Sequence, residues 1–244
     1  MMKRNDALVA TDSYDEIADE YYDDRHVTSR NFDKTAAVEL AELSTRSLIA
    51  SQGLVLDVGA GRGRTNEFLG IHPERVIQLD TSVKMLEVEP REACLARIWH
   101  RAEILPFLDK SFCCVTAFLC DPFIDRDFVG EAFRVLEHGG FLIGTLPSYE
   151  WGVALRPGLH INMASTRFIN RQGHSVLLRS KLFTVEQLTD LLTHAGFPKH
   201  AISISARCLP KEVGTISNDI VVPAATLGKA PHELPILYTF IARR

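Results

Sequence analysis

Three glycines, Gly59, Gly61 and Gly63, follow a short apolar run that ends in an acid, Asp57, in the stretch "LVLDVGAGRGR". Without a Cβ, such a loop takes φ > 0 at no steric cost and lets its backbone lie within contact distance of a ligand. A second apolar run, "RVIQLD", also ends in an acid, Asp80. A carboxylate at a strand end offers a pair of charge-assisted acceptors to a vicinal diol. The glycine spacing is G-x-G-x-G, with Arg64 where the dinucleotide fingerprint G-x-G-x-x-G has its last glycine, so a pyrophosphate ligand is disfavoured. The plainer alternatives are a turn-forming glycine cluster and an aspartate that caps a helix before Ser82.

These residues need a sheet to hold them. From Leu54 onward, apolar runs of strand length ("LVLDV", "RVIQLD", "ARIWHR", "CCVTAFLC", "FLIGTL") alternate with helical patterns near Thr65 to Leu69, Val83 to Cys94 and Asp127 to Glu137. Near-continuous apolarity suits parallel strands covered on both faces, and strand–helix repetition predicts a doubly wound α/β sheet. Ligands of such sheets bind outside the carboxyl ends of the strands, where the strand order reverses, which is where Gly59 to Gly63 lie. Gly139 and Gly140 are read as C-terminal caps of the third helix. Two helices precede the sheet. One carries Tyr14, Ile17, Ala18, Tyr21 and Tyr22 on a single face; the other, about Asp33 to Ala50, carries Ala37, Leu40, Ala41 and Leu48. Further on, Thr184 and Gln187 form a capping box before the apolar face Leu188, Leu191 and Leu192, and Gly196 ends that helix. "AISISARCL" and "PILYTFIARR" are strand candidates flanking an excursion from Pro210 to Pro235.

Composition bounds the function classes. The 244 residues suit one large α/β domain, and 46% hydrophobic with 24% charged residues is ordinary for a soluble globular chain. A formal charge of -4 without a Lys/Arg run gives no footprint for nucleic acid. No segment approaches the roughly 20 apolar residues of a membrane span, and the opening residues turn acidic where a signal peptide needs apolar ones, so a cytoplasmic location is expected. Five cysteines without C-x-x-C spacing read as buried thiols, with no metal site and no disulfide framework.

The stretch "LVLDVGAGRGR" resembles motif I of the class I S-adenosylmethionine-dependent methyltransferases. Further pieces resemble the family in order over roughly Ser51 to Phe197. They are "VIQLDTSVKMLE", whose acid binds the ribose hydroxyls; "AEILPFLDKSF", the segment along the adenine; and "AFRVLEHGGFLIGTLP", the helix, turn and fifth strand. The A-E-x-L-P-F element is similar to that of the small-molecule, type 11-like subgroup. The resemblance implies a Rossmann-like, seven-stranded, mostly parallel sheet with an antiparallel final strand and helices on both faces. It implies S-adenosyl-L-methionine as cofactor, held by Asp57, Gly59, Ala60, Gly61, Gly63, Asp80, Thr81, Met85, Ala102, Glu103 and Leu119. It also suggests the layout 1–50 helical cap, 51–147 cofactor core, 148–181 substrate lid and 182–244 C-terminal helix and strands. The chain departs from its relatives at Arg101, where an acid often binds the adenine amino group, at Cys113, and at Pro122, where a histidine pair is common.

Methyl transfer is an in-line displacement in which the protein aligns the reactants and excludes water. A base is needed only where the nucleophile is protonated, as in a hydroxyl or an ammonium group. Candidates are His160 and His174, in the long stretch Ser148 to Lys181 that also holds Tyr149, Trp151 and Phe168, and Asp121 near the expected mouth of the pocket. The tyrosine-bearing first helix is a candidate cover for the cofactor, and Arg62, Arg64 and Arg156 would favour an acidic substrate. The expected activity is methylation of O or N of a small molecule by a monomer or homodimer. The alternatives are a non-catalytic protein of the same fold and an NAD-dependent oxidoreductase.

Overall fold

The computed structural model describes residues 12–42, 53–88 and 94–244. Two helices come first, α1 (Asp12–Tyr21) and α2 (Val27–Glu42). The alternating core follows: β1 (Val55–Val58), α3 (Thr65–Leu69), β2 (Val76–Asp80), α4 (Val83–Glu87), β3 (Ala96–Trp99), β4 (Phe112–Phe118), α5 (Arg126–Val135) and β5 (Leu136–Pro147). Beyond it lie α6 (Tyr149–Gly158), β6 (Ser165–Ile169), β7 (Ser175–Arg179), α7 (Val185–His194), β8 (Ile202–Cys208), α8 (Asn218–Thr226) and β9 (Pro235–Arg243).

Seven strands form one sheet in the order β3-β2-β1-β4-β5-β9-β8. Pairing is parallel from β3 through β5, while β9 runs antiparallel to both β5 and β8. The expected Rossmann-like architecture, with its last strand reversed, is therefore present. Side chains that alternate along each strand divide between two layers. Leu56, Val58, Val115, Ala117 and Leu142 pack with α5 and α7 through Phe128, Val129, Ala132, Leu188 and Leu192. Val55, Cys114 and Ile143 pack on the other face with Phe32, Ala36 and Leu40 of α2, Trp151 and Leu155 of α6, and Ile220 and Ala224 of α8. The order reverses between β1 and β4, so a crevice opens outside their carboxyl ends.

Local chemistry sets the element boundaries. Ser82 accepts from the Met85 N–H to start α4, Asp125 from Phe128 N to start α5, and Ser148 from Trp151 N to start α6. The capping box of Thr184 and Gln187 is formed in full. Gly139 and Gly140 are not helix caps, which corrects the sequence expectation. α5 passes straight into β5 at Leu136, and the glycines sit where that strand bulges: Leu136 pairs with Phe112 but Phe141 pairs with Cys114. Gly139 takes φ 82° there and donates its N–H to Arg244 O at 2.9 Å. A bulge, like a cap, needs a residue tolerant of φ > 0, so the two are hard to tell apart in a bare sequence.

Some elements differ from expectation. The helix placed over Asp33 to Ala50 begins earlier, at Val27, and its end with Leu48 falls outside the described residues, as does part of the stretch from Val83 to Cys94. The segment 148–181 holds α6 and a separate two-stranded hairpin, β6–β7. The excursion from Pro210 to Pro235 contains α8, whose internal Pro223 masked it as a loop. Cys94, Cys113, Cys114, Cys120 and Cys208 are all free. Among the described residues, no helix is long and apolar enough to cross a membrane.

Candidate functional site

A cavity of about 740 Å³ opens at the switch point, lined by Asp57, Gly59, Ala60, Gly61, Asp80, Met85, Leu119, Cys120 and Asp121 among others. Its roof is α1 together with the β6–β7 hairpin. Tyr14, Tyr21, Tyr22 and Phe168 all line it. Ile17 and Ala18 of α1, Met85 of α4, and Phe168 and Leu178 of the hairpin form a small core of their own. Tyr21 stacks on Phe168 at 5.8 Å between ring centres and 13° between planes, a pairing worth about 0.5–1.5 kcal/mol beyond burial. Arg171 at the hairpin tip donates to both carboxylate oxygens of Asp23 at 2.8 and 2.9 Å and, through its N–H, to Glu20 at 2.5 Å. The roof is thus stapled by apolar contact in the middle and by charge at its edge.

The glycine loop is held through its own backbone N–H groups. Ala60 N donates to Leu79 O at 3.1 Å, Gly61 N to Asp80 Oδ2 at 2.9 Å and Gly63 N to Ala60 O at 2.7 Å. All three glycines have positive φ. A Cβ at Gly59 would lie 2.7 Å from that of Cys120, and one at Gly61 would meet the Tyr22 hydroxyl. That hydroxyl accepts from Arg62 N at 3.1 Å, so the last residue of the α1 face sits directly on the loop. Gly63 is absent from the cavity lining. Its missing side chain makes room for Gln78 of β2, which is a packing requirement.

Asp57 is buried; its Oδ1 accepts from Thr116 Oγ1 at 2.9 Å, while Oδ2 is buried without a hydrogen-bond partner. Burial pushes this carboxyl up to about 7, with the nearby charge of Asp80 adding to the rise. Asp80 is raised as well, by burial, against N–H bonds from Ser82 (2.9 Å) and Gly61. Each Asp80 oxygen keeps a lone pair beyond those bonds. Two buried like charges, one with an unsatisfied oxygen, make a site that gains by admitting a cation. Arg64 does not supply it, being bound to Asp33 at 2.5 Å and Glu67 at 2.6 Å. S-Adenosylmethionine, with an ammonium group, a sulfonium group and a ribose diol, fits this donor and acceptor set.

Beyond the end of β4, Asp121 also lines the cavity; it is buried, and its Oδ2 accepts from Lys181 N at 3.0 Å. Burial pushes its carboxyl up to about 6, offset by hydrogen bonding from Ser180 and by the charge of Arg156. The other two candidate bases are elsewhere. His160 is exposed beyond the end of α6, and His174 is exposed on the hairpin turn, where its N–H donates to Asn170; neither lines the cavity. Thr81, Ala102 and Glu103 are also absent from the lining. The loop that carries Ala102 and Glu103 is tied to α5: Leu105 N donates to Glu131 at 2.7 Å, and Arg134 donates to the carbonyls of Leu105 (3.0 Å) and Phe107 (2.8 Å). Arg101 is exposed and pairs with Glu103.

Leu119, expected to hold the cofactor, and Trp151 line the cavity, together with residues not singled out in sequence. Leu119 adopts φ 52° at the end of β4, and its N–H donates to Thr145 Oγ1 at 3.0 Å. A left-handed leucine is strained and marks a constrained turn. Trp151 lines the cavity and donates its indole N–H to Asp219 O at 2.8 Å. Thr28 donates to Asp219 at 3.0 Å and lies 2.7 Å from the Ser217 hydroxyl, tying α2 to the start of α8.

Residues 56–144 match the methyltransferase domain family. Among solved structures, the chain is similar to an S-adenosylmethionine-dependent methyltransferase from Thermotoga maritima, with 18% identity and a TM-score of 0.60 over 96% of this chain and 99% of that one. It is similar to a chain in the complex between the Haloferax volcanii Trm112 methyltransferase activator and a methyltransferase (17% identity, TM-score 0.64, 96% of each chain). It is also similar to a methyltransferase from Archaeoglobus fulgidus (18%, 0.57, 91% of this chain and 100% of that one). No curated protein matches significantly. With the glycine loop at the switch point of the matching sheet, residues 56–144 are similar to the type 11 methyltransferase domain, and that family and fold imply S-adenosylmethionine as cofactor.

Proposed function

We propose that this protein transfers a methyl group from S-adenosylmethionine to an oxygen or nitrogen of a small molecule. The observation that carries the proposal is one roofed cavity that gathers the glycine loop and three buried carboxylates. Asp57 and Asp80 lie at the glycine loop, and Asp121 lines the same cavity at the end of β4. Its volume, about 740 Å³, lies toward the upper end of the roughly 300–1,000 Å³ of small-molecule sites, room for a cofactor and a compact acceptor. The roof formed by α1 and the hairpin favours a small acceptor over a macromolecular one.

When bound, the cofactor supplies an electrophilic methyl group on a sulfonium. The chain's own residues do the rest. Asp57 Oδ2 takes the ammonium, and Asp80 takes the ribose hydroxyls with its remaining lone pairs. Gly59, Ala60 and Gly61 bring backbone against the ligand, and Met85 and Leu119 give apolar contact. Tyr14 and Tyr21 keep water from the reaction, remaining neutral because burial raises their pKa values. Asp121, ionised at neutral pH but with an elevated proton affinity, accepts the proton from the acceptor's hydroxyl or ammonium group. His160 and His174 have no part in it. The protein acts in the cytoplasm as a monomer or homodimer.

Isothermal calorimetry with S-adenosylhomocysteine tests the cofactor half: binding by the wild type and its loss in Asp80→Asn are expected, and equal binding by both refutes the assignment. Incubation of methyl-tritiated cofactor with a deproteinised metabolite extract tests transfer. Label that stays on the cofactor despite intact binding excludes catalysis and leaves the non-catalytic alternative.

A further inference from the structure

From Trp151 to Val185 the chain carries five Lys and Arg and no Asp or Glu, in a sequence whose 31 acids outnumber its 27 Lys and Arg. A local surplus of positive charge therefore lies along α6 and the β6–β7 hairpin. Three of these five cations are accounted for within the fold. Arg156, 2% exposed, lies outside the cavity lining, where Nη1 donates to Met163 O and Nη2 to Ser180 Oγ at 2.7 Å. It does not meet an acidic substrate, as its type alone had suggested. Arg171 is bound to Asp23 at 2.8 Å, and Lys181 to Asp125 at 3.1 Å. Arg167 and Arg179 remain. Both are exposed, both line the cavity, and among the described residues neither has an ion-pair partner.

The hairpin register puts these two side chains together. Ser165 pairs with Arg179 and Arg167 with Leu177, so the arginines are diagonal neighbours on one face, about 7–8 Å apart. The other face carries Phe168 and Leu178, buried in the small core shared with α1. Residues of both faces line the cavity, so the hairpin stands at its mouth. The other arginines of the lining are taken, Arg25 by Glu20, and Arg64 by Asp33 and Glu67. Like charges placed as Arg167 and Arg179 are repel one another, and an oxyanion between them removes the repulsion. The planar fork of a guanidinium matches a carboxylate or a phosphate with two parallel N–H bonds, so the pair favours those groups over a point anion.

We infer that Arg167 and Arg179 form an oxyanion subsite that selects methyl acceptors bearing a carboxylate or phosphate away from the methylated atom. Arg179 is two residues before Lys181, whose backbone N–H binds Asp121 at 3.0 Å. The Cα atoms of Arg179 and Lys181 are thus at most about 7 Å apart. One compact molecule spans both places, with its hydroxyl or amine at Asp121 and its anionic end at the hairpin. Assigning the anion to a methyl acceptor rests on the function proposed above; the binding of an oxyanion by the pair does not.

Titration of the full chain with inorganic phosphate, followed through the arginine Nε–H signals in nitrogen-15 NMR, tests the subsite. The two signals are assigned by their loss in Arg167→Gln and Arg179→Gln, at exposed positions where glutamine keeps most of the stem. A saturable shift of both signals with one shared Kd is expected. Either variant should weaken binding at the remaining arginine by about five- to tenfold, the loss of one charged partner at an exposed site. Arg179→Lys, which keeps the charge and loses the fork, should weaken it by less. Arg126→Gln removes an exposed cation outside the lining and should leave the Kd of wild type. Shifts that do not saturate, or an equal loss in Arg126→Gln, overturn the subsite.

Sedimentation with vesicles of phosphatidylcholine and phosphatidylglycerol identifies the source of the anion. Wild type left in the supernatant supports a soluble acceptor. Pelleting that is lost when both arginines are changed to glutamine assigns the pair to a lipid headgroup and overturns the selection of a soluble acceptor. In the tritium assay, labelled product retained by an anion-exchange resin is expected, and less of it from the double variant; label confined to neutral or cationic products overturns the selection. Absence of any label refutes the proposed function, whereas the phosphate titration still decides whether the subsite exists.

Discussion

Replacing Asp57 with Asn separates what the fold needs from what the ligand needs. In the folded chain the carboxyl is raised from 3.8 to about 7. The folded state therefore holds a proton that the unfolded chain has released, so the penalty is absent below about pH 4, grows between about pH 4 and 7, and is full above that. About three units correspond to about 4 kcal/mol, an upper bound for the destabilisation that ionised Asp57 imposes on the ligand-free protein at pH 8. Asp57→Asn removes the charge and keeps the shape. For a chain of this length the expected gain is up to about 8 °C in Tm at pH 8, shrinking toward zero at pH 4.5. The same change deletes the acceptor for the ligand's ammonium, worth about 1.5–3 kcal/mol or roughly 10–100-fold in Kd. Differential scanning fluorimetry at both pH values, with and without S-adenosylhomocysteine, reads both effects. The variant should be more heat-stable alone at pH 8 and gain little from ligand. A variant less stable than wild type at pH 8, or one with undiminished ligand affinity, would refute the account of Asp57 as a charge kept for a cation.

Other outcomes follow from the same geometry. In wild type, S-adenosylhomocysteine affinity measured by calorimetry should rise from pH 5.5 to 8 as Asp57 ionises, and the rise should vanish in Asp57→Asn. Gly63→Ala should lower stability in urea by about 2 kcal/mol, because φ 81° disfavours a Cβ and Gln78 fills its place; an unchanged midpoint contradicts this. Arg171→Ala should speed proteolytic cutting at the β6–β7 turn at low salt, and 1 M NaCl should do the same to wild type through screening; resistance in both would show that the apolar contacts of the roof suffice. His160→Ala and His174→Ala should each leave ligand affinity and methyl transfer as in wild type, and loss of transfer in either would displace Asp121 from its assigned role.

The sheet was readable because its strands are buried on both faces, and that burial writes itself as unbroken apolar runs. Asp57 and Asp80 were readable because an acid directly after such a run has few purely structural uses. Gly63 shows the limit of this logic: a glycine spared for a ligand and one spared for Gln78 look alike until β2 is placed beside the loop. The histidines failed for a related reason, since residue type pointed to chemistry while position depended on where α6 ends, for His160, and on a hairpin folded out of the sheet, for His174. Asp121 was found at the strand end, but Arg156 and Ser180 lie well apart in sequence and meet only once α6 and the hairpin have docked. Leu119 was placed at the cofactor by resemblance, but its left-handed backbone carried no signal, because strain is a property of the turn and not of leucine.

β8 reaches the sheet only through β9, which is last of the strands in chain order yet occupies an interior slot. During synthesis, the flank of β5 must therefore wait, bare of its neighbour, while the helices around it are already in place. Until Pro235–Arg243 arrives, two hydrogen-bonding edges stay open to wrong partners. Chaperone dependence and inclusion-body formation should accordingly respond more sharply to changes in β9 than to equal changes in the peripheral strand β3.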